Sequence, residues 1–146
     1  MACGSEKYRD FQSKLVPNIP KETILGVKTP DMRKIAKDIK GTKEAETFLA
    51  QLPHRYFEEN LVHFFLIAAI RDFDECVKSV ETFLPYVDCW PVCDQASPKV
   101  FAKNHKKLLP SKQSIRPRRK NIQPSFSASS FWTVCGLALP RLAFIT

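Results

Sequence analysis

The chain has 146 residues, of which 44% are hydrophobic and 26% are charged, and these proportions are typical of a globular domain with one core. Its longest strongly apolar stretch, Leu61 to Ile70, is far shorter than the roughly 20 residues of a bilayer-spanning helix. The N-terminus lacks the apolar run of roughly 7–15 residues that a secretory signal requires. We therefore expect a cytoplasmic protein with no membrane association.

The five cysteines are odd in number and irregularly spaced, which predicts reduced thiols rather than a disulfide framework. Cys89 and Cys93 could share a helix face, but no histidine pair or second cysteine pair stands near them to complete a zinc site. We expect neither a metal nor another cofactor.

The net charge of +8 is unevenly distributed along the chain. Residues 1–94 hold 13 basic and 15 acidic side chains, whereas residues 95–146 hold 10 basic and no acidic ones. A basic protein often binds nucleic acid. Here the excess of positive charge lies in the last third alone.

Short amphipathic helices are predicted over the first two-thirds of the chain, because no segment alternates with the period of two that strands show. The first runs from Glu6 to Val16 and is closed by Pro17. The second is predicted to start at Thr29 as N-cap, with Pro30 in its first turn, and to stop at Gly41. Its inward residues are predicted to be Met32, Ile35, Ala36 and Ile39.

Three further helices follow. Thr42 is predicted to cap one that ends before Pro53. The segment from Tyr56 to Arg71 is apolar on most sides, which predicts a central helix packed between neighbours. Asp72 and Glu75 have the spacing of a capping box at the start of the next helix. Its buried stripe is predicted to be Val77, Val80, Phe83 and Leu84.

Two more helices complete the pattern, one from Asp88 to about Ala96 and one opened by Ser97 and Pro98 that ends near Leu109. Short helices with one apolar stripe and tight connections predict an all-α fold. Two arrangements fit this pattern, an alpha-alpha superhelix of HEAT-like helical repeats or a compact helical bundle.

The helical pattern stops at Pro110. Prolines, a serine-rich stretch and the absence of any carboxylate predict an irregular basic tail over residues 110–146. The domain is then residues 5–109, and it is incomplete if an altered reading frame replaced its true C-terminus. A natural basic tail is the alternative.

Three sequence segments stand in order along the helical part. The first reads ILGVKTP (24–30) and MRKIAK (32–37), the second LPH (52–54) with Tyr56, Glu58 and Glu59, and the third FLPYVDCWPVCD (83–94). This combination resembles the DNA alkylation repair enzyme family, the AlkD-like proteins. The resemblance implies a HEAT-like superhelix whose concave face holds duplex DNA, and a glycosylase that releases purines alkylated at N3 or N7.

The family's motif is an aromatic residue followed four positions later by an aspartate, and Trp90 and Asp94 match it. The resemblance implies that these two residues are catalytic. A second tryptophan and a basic residue from later helices have no equivalents here, and Trp132 lies in the tail and is not assigned that role.

The chemistry of alkylpurine release suits an aromatic residue and a carboxylate. Alkylation makes the purine cationic and a good leaving group, so bond cleavage develops positive charge on the sugar. A fixed carboxylate such as Asp94 stabilises that charge and orients water. An indole such as Trp90 holds the cationic nucleotide by stacking and cation–π attraction. Residues four apart share a helix face, although a tryptophan and an aspartate so spaced can also be a core anchor and a cap or salt-bridge partner.

Four cations are candidates for contacts to DNA phosphates: Lys28, Arg33, Lys34 and Lys37. A solvated helix face is the alternative for each. His54 and His63 have no acid or thiol at ligand spacing, which favours packing or a polar surface over catalysis for both. The predicted partner is double-stranded DNA that contains alkylated purines. The alternative function is a noncatalytic helical-repeat module that binds nucleic acid or protein.

Overall fold

The computed structural model describes residues 4–87, 89–95, 98–104 and 106–107, with the backbone but not the side chains of Trp90 and Cys93. Within these ranges all regular structure is helical, which confirms the predicted all-α class. No helix in these ranges has the length and apolar character needed to cross a bilayer. The predicted tail, residues 110–146, lies outside the described residues.

All seven predicted helices are present in the described part of the chain. They are α1 (Glu6–Leu15), α2 (Thr29–Ile39), α3 (Lys43–Ala50), α4 (Phe57–Ala68), α5 (Phe73–Phe83), α6 (Trp90–Asp94) and α7 (Lys99–Lys103). Short 3-10 turns occupy Lys21–Thr23 and Leu84–Tyr86. The predicted boundaries at Asp88, Ala96, Ser97 and Leu109 lie outside the described residues.

Helix α4 is the centre of the described fold, as its apolar sequence predicts. It packs against α2, α3, α5 and α6, and Leu61, Phe64 and Ile67 are almost completely buried. Burial of each such side chain contributes about 1.5–3 kcal/mol. Helices α2 and α6, which carry the residues predicted to bind DNA and to be catalytic, therefore both pack on α4.

Two of the three predicted N-caps are confirmed. The Thr42 hydroxyl accepts from the Ala45 N–H at 3.3 Å, and the Asp72 carboxylate accepts from the Glu75 N–H at 2.8 Å. The prediction for Thr29 is wrong, because α2 begins at Thr29 itself and Lys28 occupies the cap position without a side-chain bond. The Thr29 hydroxyl instead donates to the side chain of Gln95.

The predicted apolar stripes are buried only in part. Ile35 was predicted to face inward but is 38% exposed, because α2 packs on the core through Met32 and Ala36. On α1, Phe11 and Leu15 are also exposed, whereas the polar Gln12 is buried. Helical spacing predicts which residues share a face, but the packing of neighbouring helices determines which of those side chains are buried.

The buried carboxylate of Glu58 anchors the loop that leads into α2. It accepts hydrogen bonds from the backbone N–H groups of Leu25 (2.9 Å), Gly26 (2.8 Å) and Val27 (3.3 Å). Gly26 has a φ of 80°, and a Cβ there would lie 2.4 Å from the carbonyl oxygen of Ser5. This loop conformation therefore requires both the glycine and the carboxylate.

The two histidines of the central region are paired. His54 Nε2 and His63 Nδ1 lie 2.8 Å apart, so at least one ring is a neutral hydrogen-bond acceptor. The His63 ring stacks on Phe83 with centroids 4.2 Å apart, and the His54 ring stacks on Phe48 at 4.5 Å. This arrangement agrees with the predicted packing role and joins α3, α4 and α5.

The histidine pair predicts a loss of stability in acid. Burial and the adjacent His54 lower the pKa of His63 to about 3, and burial lowers the pKa of His54 although Glu59 opposes that change. An unfolded histidine has a pKa of about 6.5. The unfolded chain therefore binds more protons than the folded chain between these values, and the free energy of unfolding falls as the pH drops below about 6.5.

We expect His63 alone to reduce the free energy of unfolding by about 1.4 kcal/mol for each pH unit between about 6 and 4. Urea unfolding followed by circular dichroism at pH 7, 6 and 5 measures this slope. His63→Phe keeps a stacked ring that cannot titrate, so it should flatten the slope. Equal slopes in the variant and the wild type would contradict the assignment.

Candidate functional site

A groove of about 890 Å³ opens where α2, the end of α4 and α7 meet. Small residues leave this space free, since Ala36 stands on α2 and Ala68 and Ala69 at the end of α4. Phe65 and Val100 add larger apolar surface to the same lining. The groove thus combines an apolar floor with an open side that admits a large ligand.

Positive charge dominates the groove. Its lining includes the basic residues Arg33, Lys37, Lys40, Arg71, Lys99 and Lys103, and no aspartate or glutamate among the described residues. Residues 1–94 carry more acidic than basic side chains, so the fold has segregated the charges. A concave surface of one sign concentrates ligands of the opposite sign, which here are polyanions.

The four sequence-predicted cations divide between the groove and the outer surface. Arg33 and Lys37 line the groove. Lys28 and Lys34 are exposed but lie outside the lining. Lys34 follows Arg33 directly, and successive helical residues point about 100° apart. The phosphate contacts predicted for these four residues remain predictions.

The other groove cations were missed in the sequence analysis. Lys40 directly follows the last residue of α2 and lies three positions after Lys37, and Lys99 and Lys103 are four residues apart on α7. That spacing is a signal that could have found them. Arg71 has no such signal, because only the packing of α4 brings its position to the groove.

Helix α6 carries the predicted catalytic pair beside this groove. Val92 is completely buried and α6 packs on α4, whereas Asp94 is exposed. Positions 90 and 94 lie one turn apart on the helix, and the Trp90 side chain lies outside the described part of the chain. Asp94 directly precedes Gln95, a lining residue of the groove.

The structure bears on two of the structural alternatives for Asp94, a buried core position and a helix N-cap. Its exposure differs from burial in the core of a helix pair. It is the last residue of α6, whose N-cap is Cys89, and the N-cap of α7 is Pro98. Asp94 therefore caps neither helix N-terminus, and the residue is exposed.

Gln95 joins α6 to α2 through two hydrogen bonds that sequence patterns did not reveal. The Thr29 hydroxyl donates to Gln95 Oε1 at 2.9 Å, and Arg33 Nη2 donates to the Gln95 carbonyl oxygen at 2.9 Å. The Arg33 guanidinium also lies 5.1 Å from the ring centroid of Phe65. Arg33 of α2 thus contacts both Gln95, the residue that follows Asp94, and Phe65 of α4.

Two cysteine side chains can be described in the structure. Cys76 and Cys89 are buried, and neither forms a disulfide. Burial raises the pKa of Cys76 to about 12, and the nearby Glu75 and Asp72 add to this effect, so its reactive thiolate form is scarce at neutral pH. Within the described ranges no group of three or more histidine, cysteine or acidic residues is placed to hold a metal ion.

Comparison with known proteins identifies the family. The family model described as DNA alkylation repair enzyme matches residues 5–118. No match was found among curated proteins or among solved structures. The family match covers all three sequence segments that carry the resemblance, the helix with Asp94 and every helix that lines the groove. Because it spans well over half of the 146 residues, this chain belongs to the DNA alkylation repair enzyme family.

Proposed function

We propose that this protein is a DNA glycosylase that excises cationic N3- or N7-alkylated purines from duplex DNA. The observation that carries the proposal is the groove lined by six cations and no described carboxylate, with exposed Asp94 one residue from its lining. Family membership supplies the context of DNA alkylation repair. The reduced thiols of Cys76 and Cys89 suit a reducing, cytoplasmic environment.

In the proposed reaction, Asp94 stabilises the positive charge that develops on the deoxyribose. The alkylated purine already carries a positive charge, so it departs as a neutral base that takes the electron pair of the glycosidic bond. The sugar becomes an oxocarbenium ion, which the Asp94 carboxylate stabilises. A water molecule then adds to the sugar and loses its proton, which leaves an abasic site. Trp90 provides the aromatic face against the nucleotide.

The groove binds the DNA backbone in this proposal. Its lysines displace counterions from phosphates, which favours binding without regard to sequence. Lys99 and Lys103 are four residues apart on α7, which corresponds to about 6 Å along the helix. One DNA strand carries a phosphate about every 3.4 Å along the duplex axis. This face of α7 can therefore follow roughly two neighbouring phosphates of one strand.

A base-release assay tests the activity. Duplex DNA treated with a methylating agent is incubated with the full chain, and free 3-methyladenine and 7-methylguanine are quantified by chromatography. We expect both bases to appear with time and unmodified bases to stay in the DNA. DNA binding without release would contradict the glycosylase and favour the noncatalytic binding module, because the charged groove alone supports binding.

The groove charge makes a separate prediction. Lys37→Met should weaken binding to any duplex, and the slope of log K against log salt should fall in magnitude by about 0.9, as expected for one lost phosphate contact. Fluorescence anisotropy between 50 and 200 mM salt, conditions in which phosphate contacts change affinity strongly, measures both effects.

Lys34→Met is the matched control for this experiment. It removes the same charge from the same helix but from an exposed position outside the groove lining. Its position outside the lining favours the solvated helix face that was the alternative to a phosphate contact, so we expect its salt slope to stay close to that of the wild type. Equal losses in the two variants would show that net charge, rather than the groove, determines DNA affinity.

A further inference from the structure

The five-residue helix α6 depends on other elements for its orientation. Isolated helices shorter than about 12–15 residues are marginal in water, so α6 cannot fix Asp94 by its own stability. Val92 anchors one face of α6 against α4. This contact holds α6 against α4, but it does not by itself fix the orientation of the C-terminal end that carries Asp94.

Two residues of α2 hold that end. The carbonyl groups in the last turn of a helix lack partners within the helix, and cations are favourable near them. Arg33 supplies both a donor and a positive charge to the Gln95 carbonyl, while Thr29 fixes the Gln95 side chain. Thr29 and Arg33 are four residues apart, so they reach Gln95 from one face of α2.

The Arg33 guanidinium is also engaged on its flat face. It lies 5.1 Å from the centroid of the Phe65 ring on α4, a geometry in which cation–π attraction operates. The contacts to Phe65 and to the Gln95 carbonyl restrict the freedom of the guanidinium to follow a DNA phosphate. The groove lysines have no such double engagement in the contacts described above.

We infer that Arg33 and Thr29 are positioning residues that hold the C-terminal end of α6, and with it the Asp94 carboxylate, through Gln95. This inference rests on the proposed catalytic role of Asp94 and gives Arg33 a different role from the phosphate contact expected from the sequence. Arg33→Met removes both engagements of the guanidinium. Thr29→Val removes the hydroxyl at nearly constant shape, whereas Thr29→Ser keeps it.

The first readout is amide hydrogen exchange in the segment 91–95 of the full chain. We expect exchange to be about tenfold faster in Arg33→Met and Thr29→Val, because the segment opens more often when its ties are lost. Thr29→Ser and the control Lys34→Met should exchange like the wild type. Unchanged exchange in both Arg33→Met and Thr29→Val would overturn the inference, whatever the activity of the protein.

The second readout separates positioning from phosphate binding. Arg33→Met and Thr29→Val should lower the single-turnover release rate at saturating methylated DNA by about tenfold, as expected when a reacting group is misplaced, and Thr29→Ser should restore the rate. The salt slope of DNA binding should match that of the wild type. A salt slope reduced by about 0.9 in Arg33→Met, with the saturating rate unchanged, would make Arg33 a phosphate ligand and overturn the inference.

The two proposals can fail separately in this experiment. A wild type that releases no base, together with the expected exchange pattern, supports the tie between α2 and α6 and contradicts the proposed glycosylase. Normal release by all variants, together with unchanged exchange, supports the glycosylase and overturns the positioning role of Arg33 and Thr29.

Discussion

Asp94→Asn is expected to reduce the release of 3-methyladenine and 7-methylguanine by about 10²–10³-fold, which corresponds to about 3–4 kcal/mol of lost transition-state stabilisation. The substitution removes one negative charge at nearly constant shape. Because Asp94 is exposed and caps neither α6 nor α7 at its N-terminus, the change should leave the unfolding temperature and DNA affinity almost unaltered. Single-turnover release at saturating DNA, with parallel thermal unfolding, measures these effects.

Asp38→Asn is the matched control, since Asp38 is an exposed aspartate on α2 that does not line the groove. It should release bases at the wild-type rate. Comparable release by wild type and Asp94→Asn would refute the catalytic assignment of Asp94. No release by either would instead favour the noncatalytic binding module, for which the charge of the groove still predicts salt-sensitive DNA binding.

The helices could be predicted because their signals are local. Thr42 and Asp72 cap helices through N–H groups three residues away, and the apolar segment that becomes α4 lies within one stretch of sequence. The partners of Glu58, His54 and Thr29 could not be predicted in this way. Glu58 binds N–H groups 31–33 residues away, and Thr29 binds a side chain 66 residues away.

In the candidate site, too, local patterns could be predicted from the sequence and distant contacts could not. The family motif directed attention to Asp94, and its exposure next to the groove suits the predicted role without testing it. The charge pattern along the chain placed the basic character in the last third, whereas Arg33, Lys37 and Lys40 lie in a region with more acids than bases. Folding collects these cations on one concave surface, and a net charge summed along the sequence does not reveal such a surface.

Glu58→Gln should lower the free energy of unfolding by about 2–4 kcal/mol, because a buried N–H group left without an acceptor costs about 1–3 kcal/mol and hydrogen bonds to a charged group are the stronger ones. Both carboxylate oxygens of Glu58 accept backbone N–H groups, and the side chain is only 3% exposed. Glutamine keeps one acceptor but points an NH₂ group at another donor. Urea unfolding at pH 7 measures the loss.

Glu59→Gln provides a control at the next residue of the same helix. Glu59 accepts from the N–H groups of Arg55 and Tyr56 through a single oxygen, Oε2, at 3.1 and 2.9 Å. Glutamine can supply that oxygen, and helix-start motifs use Glu and Gln alike, so this variant should lose less than about 1 kcal/mol. A Glu58→Gln loss as small as that of Glu59→Gln would mean that the loop before α2 finds other acceptors. A clear difference would show that the second carboxylate oxygen of Glu58 holds this loop, and with it the start of the helix that carries Thr29 and Arg33.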